Sequence, residues 1–120
     1  MIVEDILALA DQQRPVLVEG FRLLPRLVAP LLSDAMQAVW LLPTPDFRRS
    51  AFDSRGFTWS IPRHTMDPER ALANLLERDR LFTDLVAAEA RRLGLRAIEV
   101  NGDVDVEALS DRVARCLGLA

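Results

Sequence analysis

The sequence predicts an α/β fold in which a parallel sheet lies between layers of helices, a three-layer arrangement. Three short runs are almost wholly apolar, "PVLVEG" (15–20), "QAVWLLPT" (37–44) and "LRAIEVNG" (95–102), as strands buried on both faces are. Between them, apolar residues recur every three or four positions, the period of a helix. Two helix starts share one grammar, a capping side chain followed at once by proline, at Thr44-Pro45 and Asp67-Pro68. Strands alternating with helices imply parallel pairing, because a parallel neighbour needs a long crossover.

The elements follow in order. The first dozen residues place Ile2, Ile6, Leu7 and Leu9 near one side of a helix. "PVLVEG" reads as the first strand. "LLPRLVAPLLS" (23–33) holds a short helix, since Pro25 suits a first turn and Pro30 removes a donor and ends or kinks it. "QAVWLLPT" is the second strand, and "DFRRSAFDSR" (46–55) runs on as helix from its Thr44 cap. "GFTWSIPRHTM" (56–66) has no period and reads as a loop. A long helix starts at Asp67, directs Leu72, Leu75, Leu76, Phe82, Leu85, Val86 and Leu93 inward, and stops at Gly94. "LRAIEVNG" is the third strand. Asp105 opens a last helix with Val106, Leu109, Val113 and Leu117 on one stripe, and Gly118 ends it. No repeat, low-complexity tract or linker interrupts residues 1–120, which read as a single domain.

Composition narrows the function. With 120 residues, half of them hydrophobic, the chain is long enough for one real core. A net charge of -3 gives no reason to expect nucleic acid or an anionic membrane. One cysteine excludes an internal disulfide and fits a reducing compartment. No apolar stretch reaches the roughly 18 residues of a membrane span, and the N-terminus carries acid where a signal peptide carries base. A cytoplasmic location is the expectation. All fifteen basic residues are arginine, so chemistry that needs a lysine amine is absent from this chain.

Two features bear on chemistry. Glu19-Gly20 closes the first apolar run. It is either a solvated strand end or a carboxylate at the edge where open α/β sheets bind ligands, able to take a hydroxyl proton or orient water on Mg²⁺. The second is the arginine distribution over residues 46–80, Arg48, Arg49, Arg55, Arg63, Arg70, Arg78 and Arg80, interleaved with acids. Such a mixture usually forms a solvated helical face with local ion pairs. "ERDR" (77–80) fits that account less well, because it interrupts a long apolar stripe. Guanidinium forks suit phosphate oxygens. Arg78 and Arg80 point about 200° apart on a straight helix, so they do not grip one small anion together. His64 has no partner at metal spacing, Cys116 lies beside an apolar stripe, and Trp59 either stacks on a ligand or pins its loop. No Gly-x-Ser-x-Gly turn supports a serine nucleophile.

In "PVLVEGFRLLPRLVAPLL", "AVWLLPTPDFRRSAF" and "LLERDRLFTDLVAAEARRLGLRAIEVNG", the chain resembles the C-terminal two-thirds of a bacterial P-loop kinase-like protein, of the family holding small-molecule and nucleoside kinases. The resemblance spans nearly the whole chain and rests on the order of parts. It implies a truncated P-loop kinase-like fold missing its first strand, with ATP and Mg²⁺ as cofactors and a small-molecule hydroxyl as acceptor. Glu19 matches the acidic residue near the substrate. Residues 46–80 match the arginine-bearing lid, with Arg63, Arg78 and Arg80 as candidates to stabilise transferring charge. Asn101, Gly102 and Asp103 match the loop beside the nucleotide base.

The departure from the family is the phosphate loop. The five glycines, Gly20, Gly56, Gly94, Gly102 and Gly118, never form Gly-x-x-x-x-Gly-Lys-Ser/Thr, and there is no lysine. That loop's amides cradle the phosphates and its hydroxyl holds Mg²⁺. The expectation is therefore the C-terminal part of an ATP-dependent phosphotransferase, inactive alone and without tight Mg-ATP binding. A missing N-terminal half or a second copy of the chain is the implied partner. The alternative is a non-catalytic α/β interaction module that has lost nucleotide binding. An in-frame phosphate loop upstream of Met1 favours the first, a stop codon there the second. The same resemblance sets the phosphate-loop strand between "VLVEG" and "AVWLLPT". The expected repair of its absence is direct pairing of those two strands.

Overall fold

The computed structural model describes residues 2–10, 14–56 and 62–119. Its helices are α1 (Ile2–Ala10), α2 (Pro25–Val28), α3 (Pro45–Arg55), α4 (Pro68–Arg92) and α5 (Val106–Cys116), and its strands are β1 (Val39–Pro43) and β2 (Arg96–Val100). The chain is thus of mixed α/β class. Trp59 and the middle of the 56–66 loop lie outside the described residues; of that loop's described part, Pro62–His64 form a 3-10 turn.

The helix boundaries are set by the capping chemistry that the sequence carries. The Thr44 hydroxyl accepts from the Phe47 N–H at 3.2 Å, Asp67 from Arg70 at 3.2 Å and Asp105 from Ala108 at 2.8 Å. Each satisfies a donor that the first turn leaves without a helical partner. Gly94 has φ +67°, and beyond it the Leu95 N–H returns to the Ala90 carbonyl at 2.8 Å, which closes α4 in a Schellman-type turn. Pro30 does not continue α2; it sits in a separate 3-10 turn, Ala29–Leu31.

β1 and β2 pair in parallel, Val39 opposite Arg96 through Pro43 opposite Val100. The Thr44 N–H donates to the Val100 carbonyl at 2.9 Å. Successive backbone N–H groups of a strand alternate between its edges, so Pro43 faces the other edge, where its missing donor breaks no ladder bond. That edge has no strand beside it among the described residues.

The expected strand at residues 15–20 does not form. The segment is irregular, and Val16 and Leu17 are exposed, Leu17 at 81%. The expected pairing of this run with β1 is likewise absent. An apolar run fixes a preference for burial, whereas a strand needs a partner supplied from elsewhere in the chain. The chain downstream is nonetheless tied to the sheet, since the Trp40 indole N–H donates to the Leu23 carbonyl at 2.7 Å.

Burial follows α4, which packs on the Pro62–His64 turn at one end and on α2 and the sheet at the other. Leu72, Val86, Ala90 and Ile98 are buried, and α2 is fixed to α4 through Glu89, which is 7% exposed. Its carboxylate accepts from the Arg26 guanidinium at 3.1 Å and from the Arg26 backbone N–H at 3.4 Å. Phe82 and Leu85, expected inside, are exposed at 38% and 46%, as is Val106 of α5 at 81%. The helical period locates an apolar stripe but not the surface that covers it. With a radius of gyration of 16.6 Å, the chain is larger than the roughly 14 Å of a compact domain of this length.

Candidate functional site

An open cleft of about 630 Å³ lies where β1 hands over to α3. Its walls are the end of β1 from Leu42, the first turns of α3, one face of α4, and Ala97 and Glu99 of β2. The α4 wall is Leu76, Arg80, Thr83, Asp84, Ala87 and Arg91, positions that recur on one side of a 3.6-residue helix. Into this space α3 brings Arg48 and Arg49, and α4 brings Arg80 and Arg91, against the carboxylates of Asp46, Asp84 and Glu99.

Arg48 is the arginine that bridges the two helices. Its side chain is 18% exposed; Nη2 donates to the Thr83 hydroxyl at 2.9 Å and Nη1 lies 3.8 Å from the Asp79 carboxylate. The Thr83 hydroxyl in turn donates to the Asp79 carbonyl at 2.9 Å, so its lone pairs are aimed at Arg48. This arrangement ties α3 to α4 and fixes one planar, permanently charged fork at the cleft.

Arg80 sits at the rim in a cage of acid. Nε and Nη2 donate to the two Glu77 oxygens at 2.9 and 2.6 Å, and Nη1 donates to Asp84 at 2.8 Å. These bonds hold the Glu77 carboxyl below its ordinary range and push the Arg80 guanidinium further toward its charged form. Arg49 pairs with Asp53 at 3.6 Å.

Of the arginines matched to transferring charge, Arg63, Arg78 and Arg80, Arg80 alone lines this cleft, together with Arg48 and Arg49 from the wider 46–80 set. Arg78 lines a separate hollow of about 350 Å³ with Pro62, Ala71, Asn74 and Leu75, and it donates to Asp79 at 3.0 Å. The two arginines therefore face different spaces, as their spacing requires. Glu19 is exposed within the irregular 14–20 segment and closes no strand. Arg63 is exposed in the 3-10 turn, its Nε 3.4 Å from His64 Nε2.

The Asn101–Asp103 loop follows β2 beside α3. There the Asp103 N–H donates to Asn101 Oδ1 at 2.9 Å and Asn101 Nδ2 donates to Asp103 Oδ2 at 3.0 Å, so the two side chains hold each other. Gly102 has φ +87°, and a β-carbon there would meet the Phe47 ring at 3.3 Å.

The site also contains Thr83 and Arg91, which were not singled out, and Arg48, which was named only within the arginine set and given no role. Arg48 had a legible signal, standing one turn inside a helix that starts at the carboxyl end of a strand, the edge where such sheets bind ligands. Thr83 had none, because its role depends on a contact across 35 positions. Among the described residues, no group of three His, Cys, Asp or Glu side chains comes together to hold a metal ion. No helix there is long and apolar enough to cross a membrane. Comparison with known protein families, curated proteins and solved structures gives no match to this chain.

Proposed function

We propose that these 120 residues are the lid-and-acceptor part of an ATP-dependent, small-molecule phosphotransferase of the P-loop kinase-like type. The phosphate-binding loop is supplied by sequence outside them. The observation that carries this reading is that Arg48, Arg49, Arg80 and Arg91 all line one cleft that opens at the carboxyl end of β1 and runs along α4. Guanidinium groups there suit the charge that moves onto phosphoryl oxygens during transfer. A second observation supports it: the edge of β1 beside which the resemblance sets the phosphate-loop strand has no strand beside it among the described residues.

Within this reading Arg48 is the fixed fork, and Arg91 and Arg49 are rim charges. Arg80 engages phosphate only by releasing Glu77 or Asp84. Glu19 would act on the acceptor hydroxyl only once its segment is drawn to the sheet. Among the described residues no three carboxylate, histidine or cysteine side chains meet to hold a metal ion, and the hydroxyl that would hold Mg²⁺ belongs to the phosphate loop.

The alternative, a non-catalytic interaction module, is favoured by the apolar side chains left at the surface, Leu17 and Phe21 among them. Two measurements separate the readings. Titration calorimetry of the 120-residue chain with Mg-ATP is expected to show no binding tighter than roughly 100 µM, about -5.5 kcal/mol; tighter binding overturns the assignment of the phosphate loop to other sequence. The complete reading frame that holds this chain is expected to phosphorylate a small-molecule hydroxyl from ATP. A frame without Gly-x-x-x-x-Gly-Lys-Ser/Thr that binds no nucleotide would establish the module.

A further inference from the structure

On α4 the residues Arg78, Leu81, Phe82, Leu85, Ala88 and Arg92 recur at steps of three and four and form one seam along the helix. Leu81, Phe82 and Leu85 are exposed at 55%, 38% and 46%, and an arginine stands at each end of the seam. A single exposed leucine needs no explanation, whereas three neighbouring apolar side chains at coiled-coil spacing form a surface suited to another helix.

The chain carries a helix of the opposite character. α1, "IVEDILALA", is acidic in its first turn at Glu4 and Asp5, has no basic residue, and buries none of its side chains. Its apolar positions Ile2, Ile6 and Leu9 follow the same three- and four-residue steps. In its own chain Ile2 and Ile6 are half-buried, Leu9 is exposed, and the α4 seam stays open to solvent.

We infer that the α4 seam binds α1 of a second copy of this chain, and that the second copy receives α1 in return. An antiparallel arrangement sets the acidic first turn of α1 toward the C-terminal end of the seam, where Arg92 stands in the last turn of α4. Ile6 and Leu9 then lie along Leu85 and Leu81. The seam carries an arginine at either end, and the helix dipoles favour the antiparallel direction. At about 1.5 Å per residue, α1 is roughly 13 Å long and fits the roughly 21 Å between Arg78 and Arg92. A two-fold exchange doubles each contact without creating an open end. The inference does not depend on the phosphotransferase reading, since Arg78, Leu81 and Leu85 are absent from the cleft.

Sedimentation equilibrium of the 120-residue chain from 5 to 500 µM tests it. The expected result is a monomer–dimer equilibrium that weakens with added salt. Leu85→Asp in the seam and Ile6→Asp in α1 should each abolish the dimer, with helicity by circular dichroism unchanged. The exposed charge reversal Arg92→Glu, which leaves the core alone, should raise the dissociation constant about fivefold, as two weakened surface pairs do. Combining it with Asp5→Arg should restore the affinity. A chain that stays monomeric at 500 µM overturns the inference, including a monomer whose own α1 covers the seam. So does a dimer indifferent to Ile6→Asp, or a charge reversal that Asp5→Arg does not rescue.

Discussion

Arg80 donates from three nitrogens to Glu77 and Asp84, while Arg48 is held by a hydroxyl and only loosely by Asp79. A guanidinium saturated by carboxylates must release them before it binds an anion, whereas one held by a neutral hydroxyl keeps most of its charge available. The residue most suited to a phosphate is therefore one that the sequence placed in the arginine set but gave no role. The Glu77–Arg80 contact makes a testable statement. Hydrogen bonding from Arg80 lowers the Glu77 carboxyl, and desolvation opposes this. A carboxyl lowered in the folded state adds stability above its unfolded value and loses it as pH falls through the folded value. The pair is exposed, so the effect is local to α4. A carbon-detected titration is expected to find Glu77 below the ordinary carboxylate range in the parent chain and back within it in Arg80→Ala. The same low value in both proteins would show that Arg80 does not engage Glu77.

Elements whose causes are local were legible, and those with distant causes were not. α3, α4 and α5 start where a capping side chain precedes proline or an apolar stripe, and α4 stops at Gly94. These signals act within four residues of the boundary they set. The run 15–20 has the composition of a strand but no neighbour, so it remains irregular. The link between α2 and α4 joins Arg26 to Glu89 across 63 positions, and no local pattern announces it. That link should matter to stability. Glu89 is nearly buried while the Arg26 side chain is 55% exposed, so water partly replaces a lost guanidinium. Arg26→Ala is expected to destabilise the chain by about 1 to 2 kcal/mol in urea, below the 3 to 5 of a fully buried pair. Glu89→Gln, which keeps an acceptor for the Arg26 backbone, should cost less. If Arg26→Ala unfolds at the parent's midpoint, the pair is not what fixes α2.

At the scale of the whole molecule, two strands and a small buried cluster carry a chain whose radius of gyration, 16.6 Å, exceeds that of a compact domain of its length. The mixed α/β class was legible because apolar runs and helical periods alternate along the sequence. The extent of the sheet was not, because it depends on which edges find partners. The cleft was half legible. Its arginines stand out in composition, but their convergence arises from the crossing of α3 and α4. The central claim is that this cleft, with Arg48 fixed in it, holds phosphoryl groups. The most direct measurement is a titration of the isotopically labelled chain with inorganic triphosphate, following backbone amides and arginine Nε–H resonances. The expected result is saturable shifts at Arg48, Arg49, Thr83 and Arg91, with a dissociation constant of roughly 1 to 10 mM. They should weaken with salt and vanish in Arg48→Ala. No shift at 10 mM triphosphate, or shifts centred on Arg63 and Arg78, would contradict it.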